Sequence, residues 1–213
     1  MDLAARTAKT RMTDPEVRPA ATVVLWRDHP QGCQVLMGMR GAAAVFMPSK
    51  YVFPGGGVDA GDTGGADVAL TAECRHRLTL HCPPGAPDAG TLCAAASREL
   101  TEETGLALQD PTPGALRFIF RAITPPGRSR RFDARFFLAH VGSVTGDTLG
   151  FAAASTELSH LHWIGLDAAR ALDLPFITEV VLAEVGAILR GIVQPGVPFF
   201  DNSGPAPMFR RLD

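Results

Sequence analysis

The stretch RELTEETGL, residues 98–106, places three glutamates within five positions. A run of three alanines just before it favours a helix, and its glycine is typical of a helix end. On that helix Glu99 faces both Glu102 and Glu103, where like charges repel by roughly 0.2–0.5 kcal/mol per exposed pair. Mg²⁺ or Mn²⁺ would remove this repulsion, because carboxylates one helical turn apart can converge on such a cation. The stretch therefore predicts a metal-binding helix, and a solvated acidic face is the alternative.

The residues around the glutamates form a longer pattern. Arg98 lies four positions before Glu102, close enough on a helix to orient its carboxylate. RELTEETGL resembles the second half of the Nudix box, Arg-Glu-aliphatic-any-Glu-Glu-any-Gly-aliphatic, at every specified position. At a usage of roughly 6% per residue type, five such identities arise by chance on the order of once in a million windows. The resemblance to the Nudix hydrolase superfamily is therefore specific.

The first half of the box also has a counterpart, but the chain interrupts the motif. FPGGGVDAGD, residues 53–62, resembles the family's Phe-Pro-Gly-Gly loop, with Asp62 at the position where the family usually has glutamate. Between Asp62 and Arg98 lie 35 residues, far more than an uninterrupted box contains, so an insertion at about 63–89 splits the box. The split, with ITPPGRSRRFDARFF (123–137) and TELSHLHWIGLDAA (156–169), resembles the branch that includes coenzyme A diphosphatases.

The resemblance implies an enzyme, a Nudix hydrolase that cleaves a diphosphate linkage in a nucleoside diphosphate derivative with Mg²⁺ or Mn²⁺ as cofactor. Carboxylate-bound cations neutralise a diphosphate and lower the pKa of a bound water. The branch favours coenzyme A or acyl-coenzyme A as the substrate. The alternatives are ADP-ribose, a nucleotide sugar or a dinucleotide. A different class is a Nudix-fold sensor that binds without cleaving, but sensors usually lose box glutamates, and this chain keeps all three.

The resemblance also implies roles for individual residues. The metal ligands it implies are Glu99, Glu102, Glu103 and the backbone of Gly55. The catalytic residues it implies are Glu102, Glu103, Arg98 and Glu157. For Glu157 the role is a base or a further ligand, and a solvated loop acid is the alternative. The substrate-binding candidates among the loop glycines are Gly55 and Gly56. Arginines that could bind phosphate through paired hydrogen bonds are the others: Arg128, Arg131 and Arg135. Arg131 and Arg135 are favoured.

Composition limits the other classes of function. The net charge is −2 and no polybasic run occurs, which argues against a nucleic-acid binder or a membrane-surface binder. No stretch approaches the roughly 18 consecutive apolar residues of a membrane span. The first residues show no secretory signal, so the four cysteines are expected to be reduced thiols in a cytoplasmic protein. The expected partner is a small molecule; homodimers are common in the family, and the sequence leaves that state open.

Apolar segments and turn residues predict the fold. Strands are predicted at 21–26, 34–40, 51–57, 115–123, 131–141 and 161–165, and helices around RELTEETGL, at 175–192 and within the insertion. With the resemblance, these elements predict an α/β fold, a Nudix-type α/β/α sandwich with a mixed β-sheet. The predicted organisation is a mobile arm at 1–18, a hydrolase domain at 19–195 and a C-terminal tail at 196–213. The insertion is expected to border the substrate entrance or a subunit contact.

Overall fold

A computed structural model of the chain describes residues 14–64, 66–109 and 112–213. Within these residues nine strands form one mixed sheet and two short strands form a second. The strands of the large sheet are β1 (Val17–Arg27), β2 (Gln34–Arg40), β3 (Tyr51–Val52), β4 (Gly55–Gly57), β6 (Arg117–Ile123), β7 (Arg131–His140), β9 (Leu158–Gly165), β10 (Val197–Asp201) and β11 (Met208–Leu212). The small sheet consists of β5 (Ala107–Leu108) and β8 (Val144–Thr145). The helices are α1 (Ala72–Thr79), α2 (Ala89–Thr104), α3 (Leu166–Ala169) and α4 (Phe176–Leu189).

The large sheet is arranged around β1, in the order β11-β10-β6-β7-β1-β2-β3. On one edge, β1 pairs in parallel with β7 over almost its whole length. On the other edge β1 changes partner, because its last two residues pair with β2 whereas Ala20–Thr22 pair with β4. The three glycines of β4 are thereby held beside the middle of β1. This change of partner opens the sheet at the place where the candidate site forms.

Helices cover both faces of the sheet. α1 and α2 pack on one face, where Val23 of β1 is buried with Leu100 of α2. α4 packs on the other face, where Val24 is buried with Leu182. Successive side chains of a strand point to opposite faces, so β1 contributes to both cores. The predicted α/β/α sandwich with a mixed sheet is confirmed.

Helix α2 is fixed at both ends by its sequence. The Asp88 carboxylate accepts a hydrogen bond from the Thr91 N–H at 2.7 Å and caps the first turn. Gly105 follows the last turn in the left-handed region, with a φ of 73°, and its N–H donates back into that turn. A Cβ at Gly105 would also lie 2.7 Å from the Ala153 Cβ. The helix therefore begins and ends at set residues, which determines the face that it buries.

The insertion between the two box halves is part of the core. It contributes a 3₁₀ turn (Ala66–Ala69) and α1, and Leu70 and Leu78 are buried on the α2 face of the sheet. Its backbone also binds a buried side chain of the sheet, because the Arg121 guanidinium donates to Leu80 O at 3.0 Å and to His81 O at 3.2 Å. The insertion is thus a folded part of the domain.

The predicted limits of the domain need one correction. Residues 1–13 of the predicted arm lie outside the described residues, and Val17 and Arg18 already belong to β1. The C-terminal tail predicted from residue 196 is wrong, because β10 pairs with β6 and β11 pairs with β10. Phe199 of β10 is buried in the core. The C-terminal hairpin therefore completes the sheet.

Two further expectations concern the whole chain. The four cysteines all lie within the described residues and none is in a disulfide there; their reduced state stays a prediction. None of the described helices has the length and apolar character that crossing a membrane requires. The cytoplasmic location stays a prediction.

The burial of the insertion predicts a large loss of stability when its core contact is truncated. Leu70 is 0% exposed, so Leu70→Ala should lower the free energy of unfolding by about 2–5 kcal/mol. Urea denaturation measures the change. Leu149→Ala is the matched control, because Leu149 is 75% exposed and its truncation should leave stability nearly unchanged. Equal, small losses for the two variants would contradict the packing of the insertion against α2.

Candidate active site

The glutamates of α2 meet the glycine loop at β4. Glu103 is 2% exposed, and its Oε2 accepts a hydrogen bond from the Gly55 N–H at 2.8 Å. Glu99 lies beside Gly56, where an added Cβ would fall 2.3 Å from the Glu99 Oε1. At Gly55 an added Cβ would fall 2.6 Å from the Ala21 carbonyl oxygen. Only glycine permits this close approach of loop, strand and carboxylates, which explains the residue type at both positions.

Arg98 joins the two halves of the interrupted motif. Its guanidinium donates to both oxygens of Asp62, at 2.9 and 3.0 Å, although the two residues are 36 positions apart. It also donates to Glu99 at 2.9 Å, to Glu102 at 3.1 Å and to the Gly57 carbonyl at 2.9 Å. Asp62 is therefore held as the partner of Arg98. Arg98 also contacts Glu102, as the sequence predicts, and Glu99, which was not predicted.

Burial leaves the carboxylates of the site poorly neutralised. It raises the pKa of Glu103 to about 8, with the charge on Glu99 adding to the effect and the Gly55 N–H opposing it. Burial also raises the pKa of Glu99, against the hydrogen bond from Arg98. The hydrogen bonds from Arg98 lower the pKa of Asp62. Asp62 is thus satisfied by the protein, whereas Glu103 accepts only a neutral donor and has no ion-pair partner within the described ranges.

The donor set fits a hard divalent cation, although the side chains do not form a closed ligand cage. Across the described part of the chain, no group of three or more His, Cys, Asp or Glu side chains is arranged to hold a metal ion. At α2 the carboxylates have protein partners instead: Arg98 donates to Glu99 and Glu102, and the Gly55 N–H donates to Glu103. The donors are all oxygens, and Glu103 has no ion-pair partner among the described residues, which is the chemistry that Mg²⁺ and Mn²⁺ match.

A cleft of about 780 Å³ extends from the glutamates across the face of the sheet that α4 covers. Its acidic lining residues are Asp59, Glu99, Glu103 and Glu157. Its basic lining residues are Arg18, Arg40, Lys50, Arg128 and Arg130. Aromatic rings line the remainder, among them Phe46, Phe132, Phe176 and Phe200. A group of carboxylates at one end of a cleft with scattered cations suits a ligand that carries both phosphate and apolar parts.

Arg131 and Arg135 were predicted to bind substrate, but neither lines the cleft. β7 alternates its faces, so Phe132 and Ala134 line the cleft while Arg131 and Arg135 point to the α2 face. Arg131 donates to the carbonyls of Thr124 and Asn202 at 3.0 and 2.9 Å. Arg135 is 1% exposed and forms an ion pair with Asp133 at 3.0 Å. Both arginines stabilise the fold, and Arg128 is the predicted arginine that lines the cleft.

The insertion was also expected at the substrate entrance, and this expectation is wrong. No described residue of 63–89 lines the cleft, because α1 packs on the α2 face and the cleft lies on the α4 face. Arg121 illustrates the separation, since it reaches from β6 to the insertion on the side away from the cleft. The expectation of a subunit contact at the insertion stays a prediction.

The cleft lining also contains Glu157, whose role was left open, and basic residues that were not predicted. Glu157 is exposed at the cleft, and its negative charge contributes to the raised pKa of Glu99 and Glu103; its catalytic role stays a prediction. Three basic residues of the cleft lining were not predicted from the sequence to belong to the site: Arg18, Arg40 and Lys50. Arg40 could have been noticed, because it is the charged end of the predicted strand 34–40.

Comparison with solved structures agrees with this geometry. A Nudix hydrolase from Alicyclobacillus acidocaldarius superimposes with a TM-score of 0.57 at 25% identity, over 79% of this chain and 90% of that one. The Nudix domain of Shewanella oneidensis NrtR, crystallised with ADP ribose, gives a TM-score of 0.53 at 14% identity, over 82% and 89%. MutT from Bacillus halodurans gives 0.51 at 16% identity, over 86% and 87%. The last two similarities concern the fold alone.

Comparison of sequences adds a more distant relation. No protein-family model matches the chain. The chain is 26% identical over 210 residues to NADPH-ferredoxin reductase FprA of Mycobacterium tuberculosis, in the sequences of two strains. The alignment covers 94% of this chain and 40% of that protein, so the chain spans about 40% of the length of the curated relatives it matches.

Fold, box helix and glycine loop together define the class. The chain has the fold of the Nudix hydrolases, with Glu99 and Glu103 of the box helix placed against the glycine loop. The Nudix resemblance of the sequence is supported at the level of the superfamily.

Replacing Glu103 by glutamine should remove a pH-dependent loss of stability. The pKa of Glu103 rises from its ordinary 4.5 to about 8 on folding, so the folded protein binds more protons between these values. The free energy of unfolding therefore falls as pH rises through this interval, by on the order of 5 kcal/mol, and is level above it. Glu103→Gln keeps an acceptor for the Gly55 N–H and should lack this fall.

Urea denaturation of the metal-free protein between about pH 4.5 and 8.5 measures the difference. The variant should resemble the parent at the acid end and be several kcal/mol more stable at the alkaline end. Glu179→Gln, on the exposed surface of α4, controls for the loss of one negative charge. A difference between Glu103→Gln and the parent that stays constant with pH would show that the Glu103 carboxylate is not buried unpaired.

Proposed function

We propose that this chain hydrolyses a diphosphate linkage in a nucleoside diphosphate derivative and needs Mg²⁺ or Mn²⁺ to do so. One observation carries the proposal. Arg98 joins Asp62 to the glutamates of α2, so the two separated halves of the motif form one site at the end of the cleft. A tolerated acidic surface would not need a half-buried arginine with so many partners, nor glycines that allow carboxylates to approach the backbone.

The roles follow from the positions of the side chains. Glu99, Glu102 and Glu103 would hold the cation, with the backbone of Gly55 as a further ligand. When bound, the cation would neutralise the diphosphate and make a bound water more acidic. Arg98 orients Glu99 and Glu102 through its hydrogen bonds. Glu157 is the candidate base for the attacking water, because it is exposed at the cleft, whereas Glu103 is buried and already accepts a hydrogen bond from the Gly55 N–H.

The leading substrate is coenzyme A or acyl-coenzyme A. The cleft has a volume of about 780 Å³, and its aromatic lining suits a pantetheine or acyl group. Arg128 and Arg130 are exposed on the same lining and could bind the additional 3′-phosphate. ADP-ribose, a nucleotide sugar and a dinucleotide are the alternatives, and ADP ribose is the ligand in the Shewanella structure. A homodimer remains a prediction from the family.

Turnover with a divalent cation tests the proposal. The parent protein should release product from at least one of coenzyme A, an acyl-coenzyme A, NADH, ADP-ribose, a nucleotide sugar or a dinucleoside polyphosphate with Mg²⁺ or Mn²⁺, and EDTA should abolish the reaction. Glu103→Gln should retain less than about a tenth of the parent rate while staying folded, because it removes a charged ligand. Binding of these compounds without hydrolysis would favour the sensor instead.

A second measurement tests the choice of substrate. Coenzyme A should be hydrolysed about ten- to a hundredfold more efficiently than its 3′-dephospho form, because a charge-assisted contact to phosphate contributes roughly 1.5–3 kcal/mol. Arg128→Ala or Arg130→Ala should reduce this ratio. Arg190→Ala, at the exposed end of α4 and away from the cleft, is the control. Equal kcat/KM for both forms in the parent would exclude coenzyme A as the preferred substrate. It would not contradict the proposal that the chain is a diphosphate hydrolase.

A further inference from the structure

Arg40 is a half-buried cation in the cleft that the protein itself does not bind. It is the last residue of β2, and its Nε is buried without a hydrogen-bond partner. Among residues 14–64, 66–109 and 112–213, no hydrogen bond or ion pair involves its side chain. Its backbone is well fixed, because its N–H donates to Lys50 O at 3.0 Å and its carbonyl accepts from Ser49 N–H at 3.1 Å. The backbone of Arg40 is therefore fixed beside the cleft, while its guanidinium has no protein partner among these residues.

The position of Arg40 relates it to the carboxylates. It pairs across the sheet with Leu158, the residue after Glu157. It also lines the same cleft as Glu103, and its positive charge opposes the effect of burial on that carboxyl. Arg40 nevertheless forms no ion pair with either glutamate within the described residues. A residue whose purpose was to neutralise Glu103 would be expected to contact it.

The other cations of the cleft differ from Arg40. Lys50 forms an ion pair with Asp173, so its charge is already compensated. Arg18, Arg128 and Arg130 are exposed and free to be solvated by water. Arg40 combines partial burial, a buried unused donor and closeness to the glutamates. A guanidinium that lines a cleft and has no protein partner among the described residues keeps its terminal N–H groups for an anion bound there.

We propose that Arg40 is a phosphate-binding residue of the diphosphate substrate, contacting the part of the diphosphate next to the box glutamates. This assignment rests on the proposed function for the identity of the anion. The planar guanidinium offers two parallel N–H groups to phosphate oxygens, and an uncompensated arginine beside carboxylates favours an anion that also carries divalent cations. The carboxylates and Arg40 then bind the same ligand from two sides.

Binding of inorganic pyrophosphate tests the proposal without requiring turnover. Isothermal titration calorimetry of the full chain with Mg²⁺ and pyrophosphate should give a dissociation constant that Arg40→Ala raises about ten- to a hundredfold. Arg40→Lys keeps the charge and should recover part of the affinity but not the bidentate geometry. Arg170→Ala, exposed at the end of α3, should match the parent. Thermal melting of each metal-free variant reports any effect on folding.

The outcomes separate a binding role from a structural one. Loss of pyrophosphate affinity in Arg40→Ala, with an unchanged melting temperature and partial recovery in Arg40→Lys, supports the assignment. Unchanged affinity with lower stability, or no pyrophosphate binding by the parent, overturns it. Failure of the proposed function gives a different result. If no diphosphate is hydrolysed but pyrophosphate binding depends on Arg40, the hydrolase proposal fails and the phosphate-binding role of Arg40 is supported. If hydrolysis occurs and Arg40→Ala leaves kcat/KM unchanged, the phosphate-binding role of Arg40 is excluded and the hydrolase proposal is not.

Discussion

The Arg98 guanidinium is the interaction on which the rest of the site depends. It binds Asp62, Glu99, Glu102 and the backbone of Gly57, and thereby holds one end of the glycine loop against α2. Arginine suits this task because its planar fork carries five donors. Without it, buried carboxylates from two distant parts of the chain would repel each other. The insertion can be long because its two ends are fixed at this contact, and its apolar residues fill the core on the α2 face.

The site keeps more negative charge than the protein neutralises. Arg98 compensates Asp62 and restrains Glu99, whereas burial leaves Glu103 with a pKa of about 8 and a neutral hydrogen-bond donor. The burial of Glu103 lowers the free energy of unfolding above neutral pH, and the same carboxylate favours the binding of a cation. Stability and function therefore oppose each other at one residue, as they do at many active sites.

Local motifs of the sequence could be predicted because they depend on local chemistry. The acidic helix, its glycine stop and the glycine loop were identified from their residues, as was the mixed sheet. The face on which each arginine of β7 lies could not be predicted, because RFDARFF carries apolar residues on both faces of a central strand. Arg40 was missed since its role depends on a cleft built by distant elements. β10 and β11 were missed because these short strands become recognisable only through their pairing, β10 with β6 and β11 with β10.

The position of a bound cation tests the central claim, that the rejoined motif forms a divalent-metal site at the end of the cleft. Crystals of the protein with Mn²⁺ would locate the ion by its anomalous scattering. The account predicts a peak in direct coordination with Glu103 and at least one of Glu99 and Glu102, with Arg98 still bound to Asp62. Mn²⁺ bound only at other surfaces, or no peak beside these glutamates at saturating Mn²⁺, would contradict it.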